Sequence, residues 1–153
     1  MSEVTVVTCI PASPERAFLL ATDIGLHQRS MVGTEERAVS GVTSGSIALG
    51  EHVQWKAKHF GIWWALTSEI TEMVEPVFSQ DEQTSGPLAY FRHWHIFEPC
   101  EGVTRMTDVV SLSALVCGFI VDRVLLVPCI KRLLTRRGLA LAQMCNEPDV
   151  TPE

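Results

Sequence analysis

The segment FRHWHIF, residues 91–97, places two histidines two positions apart among aromatic and aliphatic residues. Because successive side chains of a β-strand point to opposite faces, His93 and His95 would share one face with Phe91 and Phe97. Two imidazoles on an apolar face suggest three kinds of chemistry. They are metal ligands, an acid–base pair, or polar groups in the floor of a pocket.

Asp108 lies within reach of these histidines if the next segment is the neighbouring strand. Residues 104–113 predict that strand, and Glu101–Gly102 predicts the tight turn before it. Counting outward from the turn places Asp108 beside His93 or His95 as a direct or diagonal neighbour. A buried carboxylate needs such a partner. The pair is then either a catalytic dyad for aldol-type cyclisation or dehydration, or an ion pair that fixes the sheet register.

A zinc site is the alternative chemistry for an H-x-H pair on a strand. Zinc needs three or four N, S or O ligands, and His59, Glu82 and Asp108 are the candidates to complete the set. We favour histidines that are hydrogen-bonded inside the fold or that contact a ligand. We therefore predict no metal and no cofactor.

The elements that must position these residues can be read from the sequence. Residues 3–10 alternate and predict a first strand. Ser13 and Pro14 are typical of the start of a helix, which we expect to end near residue 22, and Asp23 is suited to cap a second short helix. The middle of the chain predicts a meander of antiparallel strands with tight turns at Gly61 and Glu101–Gly102.

The last third of the chain changes to a helical period. Residues 118–145 predict one long amphipathic helix, which Pro128 should kink. Residues 146–153 lose the period and predict a frayed tail. We expect a single α+β domain over residues 1–153, with a core of about residues 3–145, in which the long helix covers a curved antiparallel sheet of about seven strands.

Composition limits the function. The 153-residue chain has a formal net charge of −6, so it is a poor candidate for nucleic-acid binding, which needs Lys and Arg against phosphates. The N-terminal residues are not typical of a signal peptide, and the five cysteines show no C-x-x-C spacing. We therefore expect free thiols and a cytoplasmic protein, although the sequence leaves any role of the cysteines open.

These features together resemble the helix-grip (SRPBCC) superfamily. The motifs are IPASPERAF at the first helix, LTSEITEMVEP in the fourth strand, GPLAYFRHWHIF followed by GVTRMTDVV, and the terminal helix. The superfamily includes START lipid-transfer domains, pollen-allergen-like proteins and polyketide cyclase/dehydrase-like proteins. The chain is most similar to small bacterial stand-alone members. The resemblance implies an elongated apolar cavity between sheet and helix.

Alternation along each strand selects the side chains expected to face that cavity. Phe78 and Glu82 are assigned to it, although the register of residues 77–84 stays open because a bulge near Ser79 would reverse it. Arg137 falls inside the apolar arc of the last helix, where it could meet Glu82 or Asp108 or bind a ligand carboxylate. The expected ligand-binding residues are Trp55, His59, Trp64, Leu66, Phe78, Glu82, Phe91, His93, His95, Met106, Asp108, Ile130, Leu134 and Arg137.

The leading interpretation is a protein that binds or carries a hydrophobic small molecule, such as a lipid, an isoprenoid or a polyketide-like compound. The first alternative is a cyclase or dehydratase with His93, His95 and Asp108 as catalytic residues. The second is a protein-interaction module whose cavity is filled by its own tryptophans. We expect a monomer or homodimer, with transient membrane contact during ligand transfer.

Overall fold

The computed structural model describes residues 1–31 and 34–146. The predicted frayed tail, apart from Asn146, lies outside the described residues. The elements in chain order are β1 (Ser2–Ile10), α1 (Pro14–Thr22), α2 (Ile24–Ser30), β2 (Arg37–Gly41), β3 (His52–His59), β4 (Ile62–Val74), β5 (Phe78–Ser85), β6 (Leu88–Cys100), β7 (Val103–Ala114), α3 (Gly118–Val121), a π-helical turn (Asp122–Leu126) and α4 (Val127–Met144).

The strands form one antiparallel sheet in the order β1-β7-β6-β5-β4-β3-β2. From β2 to β7 each strand pairs with the next along the chain, and β1 closes onto β7. The predicted α+β architecture is confirmed: a curved antiparallel sheet, two short helices after the first strand, and a long C-terminal helix.

Two tight turns set the register of the strands that carry the polar residues. Phe60 and Gly61 both have positive φ, at 55° and 74°, and so do Glu101 and Gly102, at 50° and 83°. Two-residue turns with positive φ match the right-handed twist of the strands they join. Both predicted hairpins, β3–β4 and β6–β7, are confirmed.

The two short helices begin where the sequence predicts. Ser13 caps α1 by accepting a hydrogen bond from the Arg16 backbone N–H at 3.3 Å, and Pro14 occupies the first turn. Asp23 caps α2 by accepting from the Leu26 N–H at 2.9 Å. Together these helices connect β1, at one edge of the sheet, to β2 at the other.

The C-terminal helix is continuous but irregular. The irregularity that Pro128 predicts takes the form of a π-helical turn, Asp122–Leu126, directly before α4. Pro128 itself lies in the first turn of α4 and has no backbone N–H to donate to the π-helical turn that precedes it. The buried residues of α4 are Leu134, Arg137, Gly138 and Leu141, and their i, i+3, i+4, i+7 spacing marks the face that packs on the sheet.

Apolar packing lies at three places around the concave face of the sheet. The largest cluster joins α1 to the far ends of β6, β7 and α4 and includes Phe18, Phe97 and Met106. A second joins α2 to β3 and β4, and a third joins β1 and β7 to Leu134 of α4. Between them, the sheet and the C-terminal helix enclose the candidate site.

Candidate ligand-binding site

A cavity of about 490 Å³ lies between the sheet and the C-terminal helix. Its wall is formed mainly by apolar side chains from β3, β4, β6 and α4, together with residues of the β7–α3 connection. The predicted residues on this wall are Trp55, His59, Trp64, Leu66, Phe91, His93, His95, Ile130, Leu134 and Arg137. Several wall residues are also exposed at the surface, and we call Phe60, Trp64, Leu115, Val116 and Leu125 the mouth of the cavity.

The two histidines of β6 share one carboxylate of β7. His95 and Asp108 are direct cross-strand partners, and His93 lies two residues further along the same face. Asp108 Oδ1 is 2.8 Å from His95 Nδ1 and 3.0 Å from His93 Nε2. The sequence placed one of the two histidines beside Asp108, whereas the structure brings both to it.

A second carboxylate, Asp81 of β5, reaches the same imidazoles from the other side. Asp81 is the cross-strand partner of His93. Its Oδ1 lies 3.4 Å from His95 Nε2 and 3.9 Å from His93 Nδ1. Each imidazole therefore lies between two carboxylates, with Asp108 near one of its ring nitrogens and Asp81 near the other. We call Asp81, His93, His95, Asp108 and Arg137 the polar cluster.

Arg137 of α4 completes the cluster from the helix side. Its side chain is buried, with Nη2 donating to the Ala21 carbonyl at 2.9 Å and Nη1 lying 3.8 Å from Asp108 Oδ1. Its Nε and Nη1 atoms make no hydrogen bond within the part of the chain that the structure describes. Arg137 thus compensates the charge of Asp108 mainly through proximity. The sequence offered Glu82, Asp108 or a ligand carboxylate as its partner, and the structure places Arg137 beside Asp108.

The environment separates the pKa values of the two histidines. Burial lowers the pKa of His93, and the neighbouring charge of His95 lowers it further. Burial also opposes the charged form of His95, but the hydrogen bonds to Asp108 and Asp81 outweigh it and raise the pKa of His95. His93 is therefore the neutral imidazole of the pair near pH 7, and His95 is the one that favours a proton.

The carboxylates are held in their charged forms. Burial would raise the pKa of Asp108, but the hydrogen bonds from His93 and His95 dominate and hold it well below its usual range. Burial likewise opposes ionisation of Asp81, and the hydrogen bond from His95 with the charges of His93 and His95 lowers its pKa overall. In this protonation state, two negative carboxylates face positive His95 and Arg137.

The prediction that Phe78 and Glu82 face the cavity is wrong. Ser79 and Asp81 pair with His95 and His93 and share their face, so the even-numbered residues of β5 point outward. Glu82 forms an ion pair with Arg92 instead. The error arose because both alternating sets of this strand are polar, and the one large apolar residue, Phe78, decided the assignment.

Two other predicted contacts lie beneath the cavity rather than on its wall. Met106 is fully buried against Phe18 and Phe97, because α1 packs over that end of the sheet. Asp108 is 1% exposed and lies behind the two imidazoles. Neither is among the residues that line the cavity, so Asp108 acts on it through His93 and His95.

Sequence reasoning missed Asp81 and a second polar pair on the wall. His27 Nε2 and Glu36 Oε1 are 2.9 Å apart, and the His27 ring lies 4.4 Å from that of Trp55. Counting outward from the two-residue Gly86–Pro87 turn places Asp81 opposite Arg92, one residue from its observed partner His93, because the pairing of β6 with β7 shifts register between Leu88 and Tyr90. The His27–Glu36 pair joins α2 to the segment before β2, and no sequence period connects those two positions.

Known structures show the same arrangement of elements, although no protein-family model and no curated protein matches the chain. TTHA0849 from Thermus thermophilus superposes with a TM-score of 0.74 at 18% identity, over 94% of this chain and 99% of that one. Ara h 8.0201 gives a TM-score of 0.68 at 12% identity, over 94% and 97%. The chain has the helix-grip fold.

A third helix-grip neighbour is CV1439 from Chromobacterium violaceum, with a TM-score of 0.71 at 12% identity over 95% of this chain and 98% of that one. In each case nearly the whole of both chains is superposed, so the fold resemblance predicted from the sequence motifs is confirmed. At such identities the likeness is one of fold. Function has to be argued from the cavity and the polar cluster.

Proposed function

We propose that this protein binds an apolar small molecule, such as a lipid, an isoprenoid or a polyketide-like compound, in the cavity between its sheet and its C-terminal helix. The observation that carries the proposal is a cavity of about 490 Å³ with mostly apolar walls and one concentrated polar cluster. Small-molecule sites typically have a volume of about 300–1,000 Å³ and combine apolar walls with a few polar groups.

Affinity and orientation would come from different parts of this cavity. Apolar burial supplies about 25 cal/mol per Å² removed from water, so the walls provide most of the free energy of binding. The cluster side chains on the wall, chiefly Asp81, His93 and His95, offer hydrogen bonds that fix one end of the ligand. The mouth gives the ligand a path, because its apolar residues are both exposed and continuous with the wall.

The test is native mass spectrometry of freshly purified protein, with solvent extraction of any bound molecule, followed by titration with lipids, polyketides and the apolar dye N-phenyl-naphthylamine. Ala57→Phe places a ring inside the cavity, because Ala57 is buried on the wall. We expect at least tenfold weaker binding of dye and ligand by this variant. The cost in free energy of unfolding should be about 1–3 kcal/mol for overpacking.

Lys56→Phe is the matched control, since Lys56 is the exposed neighbour on the opposite face of β3. It should bind as the wild type does. Binding that is equal in both variants, or no binding of any probe by the wild type, would refute the proposal. Circular dichroism confirms that each variant is folded.

The polar cluster supports a second candidate, an acid–base enzyme of the cyclase or dehydratase kind. His93 is the neutral imidazole beside His95, and both lie on the cavity wall. One imidazole can accept a proton from the ligand, and the other can donate a proton to a carbonyl oxygen of the ligand. His95→Ala distinguishes the candidates: a carrier keeps most of its affinity, whereas an enzyme loses turnover while it still binds.

The cavity volume argues against an interaction module with a filled interior. Trp55 and Trp64 lie on the wall and leave the cavity open, whereas that alternative requires them to fill it.

The thiols of all five cysteines are free, which is consistent with the reducing cytoplasm as the place where the protein acts.

A further inference from the structure

Three side chains of the polar cluster form a potential coordination set. One donor atom from each of Asp81, His93 and His95 lies within 4.8 Å of the other two. A tetrahedral ion with bonds of about 2.1 Å holds its donors roughly 3.4 Å apart. The separation of Asp81 Oδ1 and His95 Nε2 is 3.4 Å, and that of Asp81 Oδ1 and His93 Nδ1 is 3.9 Å. Small side-chain rotations would therefore close the set around one ion.

Asp108 orients both imidazoles for this purpose. Its Oδ1 is positioned to accept the N–H of His93 Nε2 and of His95 Nδ1. In that tautomer pair, the lone pairs of His93 Nδ1 and His95 Nε2 both face the carboxylate of Asp81. Metal-bound histidines usually donate their other N–H to a carboxylate or carbonyl in the same manner, which fixes the ring and increases its basicity as a ligand.

The surroundings favour a cation with open coordination positions. With both imidazoles neutral, the carboxylates of Asp81 and Asp108 carry two negative charges, and nearby Arg137 offsets one of them. Asp81, His93 and His95 all lie on the cavity wall, so the remaining coordination positions face the space where the ligand would bind. Arg137 lies on the Asp108 side, 3.8 Å from Asp108 Oδ1.

We propose that Asp81, His93 and His95 bind a divalent first-row transition-metal ion at the floor of the cavity, with Asp108 holding both imidazoles in place. Two imidazoles and one carboxylate suit zinc, cobalt or iron(II) rather than the oxygen-seeking Mg²⁺ or Ca²⁺. Sequence reasoning predicted no metal because it favoured histidines that are hydrogen-bonded inside the fold or that contact a ligand, and it did not consider Asp81 among the candidate metal ligands. The proposal does not depend on the identity of any organic ligand.

The test is titration of the chelator-treated protein with Co²⁺ and Zn²⁺, monitored by calorimetry and by the visible absorption of Co²⁺. We expect one ion per chain and a ligand-field spectrum without thiolate-to-cobalt charge transfer. Asp81→Asn removes the anionic donor with little change in shape, and we expect it to weaken binding at least 100-fold. Glu36→Gln is the matched control, since Glu36 forms a histidine–carboxylate pair with His27 on the same wall, and it should change the affinity less than twofold.

A measurement on the unmodified protein guards against a misfolded variant. In ¹⁵N-edited NMR spectra, Zn²⁺ should shift the ring resonances of His93 and His95 and leave those of His27, His52 and His59 in place. Absence of stoichiometric binding, equal affinity in Asp81→Asn, or a thiolate charge-transfer band would overturn the proposal. Because the probe is the metal alone, failure here is distinct from failure to bind an apolar ligand.

Discussion

A buried arginine is the residue on which the charge balance of the polar cluster depends. Arg137 is 3% exposed and faces Asp108, which is 1% exposed. Removal of one partner from a buried ion pair leaves the other uncompensated, which costs about 3–5 kcal/mol. The same side chain also donates to the Ala21 carbonyl and so joins α4 to α1.

We therefore expect Arg137→Met to lower the free energy of unfolding by about 3 kcal/mol, measured by urea denaturation in the presence of a chelator. Arg136→Met is the control, because Arg136 is the exposed neighbour on α4, and exposed changes usually stay within about 0.5 kcal/mol. An Arg137→Met protein as stable as the wild type would mean that Arg137 does not compensate Asp108.

How much of the cluster the sequence predicts depends on the contrast between the two faces of each strand. In β6, His93 and His95 alternate with larger outward residues, and a clear two-residue turn follows the strand. The proximity of these histidines to Asp108 can therefore be predicted by counting residues outward from that turn. In β5, Ser79, Gln80 and Asp81 are all polar and alternation carries no information. Asp81 was therefore missed, although it is the second carboxylate of the polar cluster and reaches both imidazoles from the side opposite Asp108.

At the scale of elements, the contact of α4 with β1 depends on a glycine. A Cβ added at Gly138 would overlap the side chain of Thr8. Gly138 also lies on the buried face of the helix. The helix can approach the first strand this closely only because position 138 has no side chain.

Gly138→Ala should therefore destabilise the protein, although alanine has a higher helix propensity than glycine. In an unrestricted helix interior this change stabilises by about 1 kcal/mol, whereas here we expect a loss of about 1–3 kcal/mol from overpacking against Thr8. A double-mutant cycle with Thr8→Gly measures the coupling in free energy of unfolding. Additive effects of the two substitutions would contradict the close packing of α4 on β1.

The helices and hairpins were predictable because their signals are local. Ser13–Pro14 and Asp23 are caps, and Phe60–Gly61 and Glu101–Gly102 are turns whose residues define their own geometry. The π-helical turn at Asp122–Leu126 was predictable only as a disturbance near Pro128. Its form depends on tertiary contacts, such as the bond from the Ala114 N–H to the buried Asp122 carboxylate at 2.7 Å.

At the scale of the whole molecule, access to the cavity can be measured by the reactivity of a cysteine side chain on its wall. Cys129 lines the cavity and is half-buried, whereas Cys9 is exposed on β1. Burial raises the pKa of the Cys129 thiol, against a smaller opposing effect of the Arg132 charge. The thiolate is the reactive form, so a raised pKa means less of it at neutral pH.

We expect iodoacetamide to alkylate Cys129 more slowly than Cys9 near pH 7, as followed by peptide mass spectrometry. The rate at Cys129 should rise about tenfold per pH unit below its pKa, because the thiolate fraction does so. Saturation with N-phenyl-naphthylamine should slow Cys129 at least fivefold and leave Cys9 unchanged. Equal protection of both cysteines would show that the dye binds elsewhere.

The mouth of the cavity is the surface that a ligand of the proposed kind would cross. Its residues are apolar, exposed and continuous with the wall. A change of side chain there would alter the rate of ligand exchange before it alters the affinity.

No helix in residues 1–31 and 34–146 has the length and apolarity required to cross a membrane.

The distribution of the tryptophans has an optical consequence. Trp55 and Trp64 lie on the cavity wall, whereas Trp63 and Trp94 are on the opposite face of the sheet. An apolar molecule that enters the cavity should shield Trp64, which is 38% exposed at the mouth, from water and shift its emission to shorter wavelengths, while Trp63 and Trp94 stay as an internal reference. The protein thus carries its own fluorescent indicator of occupancy.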